Sequence, residues 1–141
     1  MDLNETLNKL TVNGLVFLLL LYTNGRINFK LINGKYEIDY IIIKDRIYNE
    51  DLLYLNGLKY IKKEFGSCSK TSKIYLIRRV YVVMGLIDLL DSFNFKCEIF
   101  PKFSLEGIIL YDIYSIETPS HEIITTEILW RLGRELLNHI V

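Results

Sequence analysis

The pair Asn33-Gly34, set between two runs of β-forming residues, restricts this chain more than any other feature. Upstream, Arg26 to Ile32 reads Arg-Ile-Asn-Phe-Lys-Leu-Ile, alternating polar and apolar as a half-buried strand does. Downstream, Lys35 to Lys44 is dense in Tyr and Ile. A two-residue turn of this kind needs positive φ at both central positions, which Asn and Gly tolerate, and its twist matches that of paired strands. The spacing therefore predicts a β-hairpin over residues 26–44, and an all-helical fold is excluded.

Helical patterns surround that hairpin. Asp2 to Leu10 reads as the start of an amphipathic helix, and Leu15 to Tyr22 is apolar on every side, as in a buried helix or a central strand. Asn24-Gly25 punctuates the chain before the hairpin. Asn49 to Glu64 has acids in its first turn and lysines in its last, the order that suits a helix dipole. Gly66 to Ser72 is a polar connector rich in Gly and Ser. Ser72 to Phe93 is the longest helical pattern, with Ile74, Ile77, Tyr81 and Met84 on one side. Phe95 to Phe100 and Gly107 to Ile116 read as strands joined through Pro101. Past the break at Thr118-Pro119-Ser120, a last helix starts near Thr126, with Ile128, Leu129, Leu132, Leu136 and Leu137 inward. The expected fold class is α/β in the α+β sense. A helix and β-hairpin domain spans 1–66, and a mixed-sheet domain flanked by helices spans 67–141. No internal repeat is evident.

Composition removes several functions. Half of the 141 residues are hydrophobic and 13% are aromatic, which excludes disorder. Seventeen basic residues balance seventeen acidic ones, so any grip on nucleic acid must be local or shared. The absence of Ala and Gln is the mark of AT-rich coding, not of a function. The charge is segregated: Lys59, Lys62, Lys63, Lys70, Lys73, Arg78 and Arg79 face only Glu64 in their stretch. That stretch is the candidate for RNA phosphates or an acidic partner, against the plainer reading of a solvated surface. Cys68 and Cys97 follow no metal-ligand spacing and suit free thiols in a reducing cytosol. There is no phosphate-binding loop, nucleophile elbow or zinc-protease motif, so neither a cofactor nor a metal is expected. The run Leu15 to Tyr22 falls short of the roughly 20 residues that span a bilayer, and the expected location is cytoplasmic.

Lys96 to Tyr111 reads Lys-Cys-Glu-Ile-Phe-Pro-Lys-Phe-Ser-Leu-Glu-Gly-Ile-Ile-Leu-Tyr, and His121 follows ten residues after that tyrosine. In this order and spacing the chain resembles the C-terminal domain of the archaeal tRNA-splicing endonucleases. Glu50-Asp51-Leu52-Leu53-Tyr54-Leu55 is similar to the helix that closes the family's N-terminal domain, and Glu127 to Val141 to its last helix. The resemblance covers roughly residues 46 to 141.

It implies metal-free RNA cleavage in which a Tyr acts as base, a His as acid, and a Lys steadies the charged phosphorane. Tyr111 stands at the base position, His121 at the acid position, and Asn138 where the Lys is needed. Asn is neutral and cannot replace that cation. The family's Gly after Lys-Phe is also missing, since Ser104-Leu105-Glu106 follows Phe103. The resemblance thus implies a non-catalytic structural subunit, with Tyr111 and His121 as relics. It would assemble two-and-two with a catalytic subunit on precursor tRNA, through Gly107 to Tyr114 and His139 to Val141. Two alternatives stand beside this: a small winged-helix-like nucleic-acid-binding module, and an active nuclease using Tyr111 and His121 with a cation such as Lys102.

Overall fold

The computed structural model of the chain describes residues 3–65, 74–103 and 109–138. Helix α1 (Leu3–Thr23) leads into strands β1 (Arg26–Ile32), β2 (Lys35–Ile43) and β3 (Arg46–Asn49), followed by α2 (Glu50–Phe65). Then α3 (Ile74–Ser92), β4 (Lys96–Phe103), β5 (Ile109–Glu117), β6 (Ile123–Thr125) and α4 (Thr126–Asn138) follow in the same order. Over the described residues the fold is α+β, with four helices and two antiparallel sheets, β1-β2-β3 and β4-β5-β6.

The hairpin forms as its turn dictates: Asn33 has φ 51° and Gly34 φ 76°. The two N-terminal helical fragments are one helix. Thr11 bonds back to the Leu7 carbonyl at 2.9 Å, and no Pro interrupts. Leu15, Val16, Leu18 and Leu19 are buried, so the all-round apolar run is core helix and not strand. Thr6–Thr23 of α1 is long and apolar enough to cross a membrane, and a third of it is buried inside the protein.

The order α-β-β-β-α occurs twice, and local devices repeat with it. The first helix of each half ends on an Asn in the left-handed region, Asn24 (φ 52°) and Asn94 (φ 69°). In each case the next residue bonds back five positions, Gly25 N to Leu20 O at 3.3 Å and Phe95 N to Leu90 O at 3.1 Å. Each first strand meets a β-bulge, at Asn28/Phe29 and at Glu98/Ile99. The last helix of each half is capped from its preceding residue: Asn49 Oδ1 takes Leu52 N at 2.9 Å, and Thr125 Oγ1 takes Ile128 N at 3.4 Å.

The expectation of no internal repeat is therefore corrected. Val12-Asn13-Gly14-Leu15-Val16-Phe17-Leu18-Leu19 matches Val83-Met84-Gly85-Leu86-Ile87-Asp88-Leu89-Leu90 at five of eight positions. Asp51-Leu52-Leu53-Tyr54-Leu55-Asn56-Gly57 and Glu127-Ile128-Leu129-Trp130-Arg131-Leu132-Gly133 share acid, aliphatic, Leu, aromatic and Gly in order. The two blocks match at different offsets, because the strands and loops between them differ in length, and so no single period runs through the chain.

Those blocks are where helices cross. The first helix of each half packs antiparallel on the last helix of the other, α1 on α4 and α2 on α3. A Cβ on Gly14 would strike Leu129, and one on Gly133 would strike the Leu10 carbonyl. A Cβ on Gly57 would strike Tyr81, and one on Gly85 the Leu53 carbonyl. Only hydrogen fits, and the backbones close on each other. Helices α1 and α3 also touch, giving the row α2-α3-α1-α4.

Two further expectations are corrected. The second sheet is antiparallel, not mixed, because its strands are consecutive and no crossover helix separates them. Pro101 is not a joint between strands but lies within β4, opposite Tyr111. It is tolerated there because β4 is an edge strand.

Candidate functional site

Three groups of side chains carry the sequence expectations, and they fall in different places. His121 belongs to the turn between β5 and β6. Thr118, only 2% exposed, locks that turn: its amide reaches Glu122 O at 2.9 Å, its carbonyl takes His121 N at 2.9 Å, and its hydroxyl takes Glu122 N at 3.0 Å. The Ser120 hydroxyl then bonds Tyr22 of α1 at 3.0 Å. Closing so tight a loop puts His121 at φ 67° and throws its imidazole outward, where the side chain is 82% exposed and Nδ1 lies 3.3 Å from Glu117 Oε2.

Tyr111 pairs with Pro101 near the other end of β5. It lies six residues from Glu117, which is about 20 Å along an extended strand. Asn138 is exposed at the far end of α4, about 18 Å along the helix from Thr126. An acid and a base acting on one phosphate must both lie within hydrogen-bond reach of the reacting atoms. The chain does not bring Tyr111, His121 and Asn138 together in that way. Lys102, the alternative cation, is in β4 opposite Leu110, one pair beyond Tyr111 and equally remote from His121.

The basic stretch divides as well. Lys59, Lys62 and Lys63 are exposed on the last turns of α2. Arg78 is committed to the fold, since it pairs with Asp51 and with Glu50 (3.5 Å) at the start of α2 and lies 4.6 Å over the Tyr54 ring. Arg79 is half-buried and engaged. Lys70, Lys73 and Cys68 lie outside the described residues, as do positions 107, 108 and 139–141 of the expected interface. The remainder of that interface lies along β5, the middle strand of its sheet, which pairs with β4 along its length and with β6 only at Ser115 to Glu117.

A polar face of mixed charge that the sequence reading did not single out is the solvent side of β1-β2-β3. Ile27 and Phe29 pack on the core, so Arg26, Asn28 and Lys30 alternate outward and are exposed. Tyr40 and Asn49 continue the Asn28 row across the sheet, and Ile42 and the exposed Ile47 continue the Arg26 row. Glu37 stands opposite Lys30 and 3.9 Å from Lys9 of α1, and Asp39 accepts from the Asn28 amide at 3.4 Å, so the two cations share the sheet with two acids. The signal was available, because the alternation that predicts strand β1 also predicts which of its side chains face water.

The corresponding face of β4-β5-β6 has another character. Lys96, Glu98, Tyr114 (66% exposed) and Ile123 (54%) mark it, and Glu117 stands at its end. Cys97 turns to the core. Burial, with the Asp91 charge adding to it, pushes its thiol up from 9.0 to about 12, so it is inert as a nucleophile. Among the described residues no cluster of His, Cys, Asp and Glu could hold a metal. Comparison with protein-family models, curated proteins and solved structures finds no match to this chain.

Proposed function

We propose that this chain is a non-catalytic nucleic-acid-binding protein, serving as the structural subunit of an RNA-cleaving assembly of the kind its resemblance to splicing endonucleases implies. The observation that carries the reading is the exposed Arg26, Asn28, Lys30 row on the solvent face of a sheet whose other face is core. Cations spaced along a strand match the repeating charge of a phosphate backbone, and the amides beside them add hydrogen bonds without demanding a base sequence. The separation of Tyr111 from His121 supports a role in which a catalytic partner brings the full acid, base and cation. That partner is the catalytic subunit, two copies of each chain acting on precursor tRNA in the cytoplasm.

The test has two arms. Binding of a labelled bulge-helix-bulge RNA is measured across a salt series for the parent chain and for a double charge reversal, Arg26→Glu with Lys30→Glu. Affinity should fall at least about tenfold, and the slope of log K against log salt should drop by about two. An unchanged slope sinks the sheet face as the interface. Cleavage is then assayed for the chain alone and after co-expression with the catalytic subunit. Cutting by the chain alone ends the structural-subunit reading, and so does failure of the two chains to co-purify.

A further inference from the structure

We infer that the two α-β-β-β-α halves remain interchangeable between molecules, so that a second copy of this chain is a partner that its own interior interface already fits. In the resulting intertwined dimer the first half of each copy closes on the second half of the other.

The helix row is assembled wholly between halves. Helix α1 meets α4 and α3, and α2 meets α3, so among the described residues the extensive helix-on-helix seams join residues 3–65 to residues 74–138. The two outer seams have one geometry. Gly14 lies on Leu129 while Gly133 lies on Leu10, and Gly57 lies on Tyr81 while Gly85 lies on Leu53. In each case a glycine four residues after the contacted residue receives the opposite backbone. Other ties across the seams are likewise between halves: Arg78 to Glu50 and Asp51, Tyr54 on Tyr81 at 5.5 Å, and Trp130 Nε1 to Thr11 Oγ1 at 3.0 Å.

The chain crosses between halves only once, over positions 66–73 from the end of α2 to the start of α3. The antiparallel pairing puts the other two ends, Leu3 of α1 and Asn138 of α4, at one end of their own seam in the same relation. One seam therefore forms with a covalent link across its ends and the equivalent seam forms without one. Connectivity is not what makes halves recognise each other. Exchanging halves between two copies remakes every contact and alters only loop closure and concentration.

The test removes the ability to fold back. Positions 66–73 are replaced by eight helix-forming residues of the Glu-Ala-Ala-Ala-Lys type, so that α2 runs straight into α3. Light scattering should give twice the chain mass, and Trp130, the single tryptophan, should keep the emission of the parent protein. A folded monomer overturns the inference. Because that variant tests folding as well as exchange, a circular permutant accompanies it, opened between positions 69 and 70 and joined from 141 to 1 by eight Gly/Ser residues. The permutant should be a folded monomer with the parent's circular dichroism. An unfolded permutant, or a helical-linker variant that does not fold beside a folded parent, overturns the equivalence of the seams.

Discussion

The two halves have the same backbone and different surfaces. Residues 3–65 and 74–138 share the order of elements, the left-handed Asn after the first helix, the bulge in the second strand, the polar cap on the last helix and the glycine at each crossing. Their solvent faces diverge. The first sheet shows Arg26, Asn28, Lys30, Glu37 and Ile47 to water, whereas the second shows Lys96, Glu98, Tyr114 and Ile123. What is held in common is what the fold requires, chiefly the absence of a Cβ where two helices touch. What differs is what a partner would read.

Even the seams vary where chemistry allows. Tyr54 and Trp130 occupy corresponding places, each three residues before the crossing glycine. Tyr54 stacks edge-on against Tyr81 beneath Arg78, while Trp130 donates its indole hydrogen to Thr11. Two solutions, one of rings and charge and one of a hydrogen bond, thus serve the same position.

The sharpest way to break the equivalence of the seams is at the glycines. Gly57→Ala and Gly133→Ala should each cost about 3 kcal/mol by urea unfolding, since a methyl would meet a backbone carbonyl that cannot move aside. Tolerance of one but not the other would show that the two seams are not equivalent. Trp130→Phe leaves the ring and removes the donor, so a loss of about 1 kcal/mol is expected in the same assay. Arg78→Met is expected to cost less, below about 1 kcal/mol, because Glu50 and Asp51 are exposed; adding salt should shrink the difference.

An effect confined to alkaline pH concerns a residue with no counterpart of its kind in the first half. Cys97 is ionised more easily in the unfolded chain than in the folded one, because folding raises its pKa from 9.0 to about 12. The unfolded state therefore releases the proton first, and the contribution of this group, intact below pH 9, should be lost as the pH climbs toward 12. Replacing Cys97 with Ser should flatten that part of the stability-against-pH curve. At pH 8 a thiol reagent should label Cys97 only when denaturant is present.

Much of the fold was legible along the chain. The Asn33-Gly34 turn, the dipole-ordered helix before the connector and the helix beginning at Thr126 are local events, driven by φ preferences, end charges and caps, and they form where their residues stand. The short strands β3 and β6 were missed. Four and three residues carry too little alternation to be recognised, and their pairing comes from β2 and β5, not from their own composition. Leu137 was placed inward on helical spacing but is exposed at 39%, because Leu136 takes the buried position of that turn and the next residue is rotated about 100° away. The candidate site was legible only as residue types. Tyr111, His121 and Asn138 have suggestive spacing in sequence, yet a straight strand and a straight helix hold them apart.

By itself, then, the sequence determined the first hairpin and the main helical stretches, because those choices depend on neighbours a few residues away. It also held the two glycine-bearing blocks that mark the duplication. Which block meets which was decided only in three dimensions. Gly14 is close to Gly133 and far from Gly57 because two backbones can approach only where both lack a Cβ and the surrounding leucines and tyrosine fill the flanks. The same holds for Arg78, a basic residue like its neighbours in sequence, which becomes a structural tie because α3 lies beside the acidic first turn of α2. Close approach and desolvation are properties of pairs of surfaces, and no position along a chain possesses them alone.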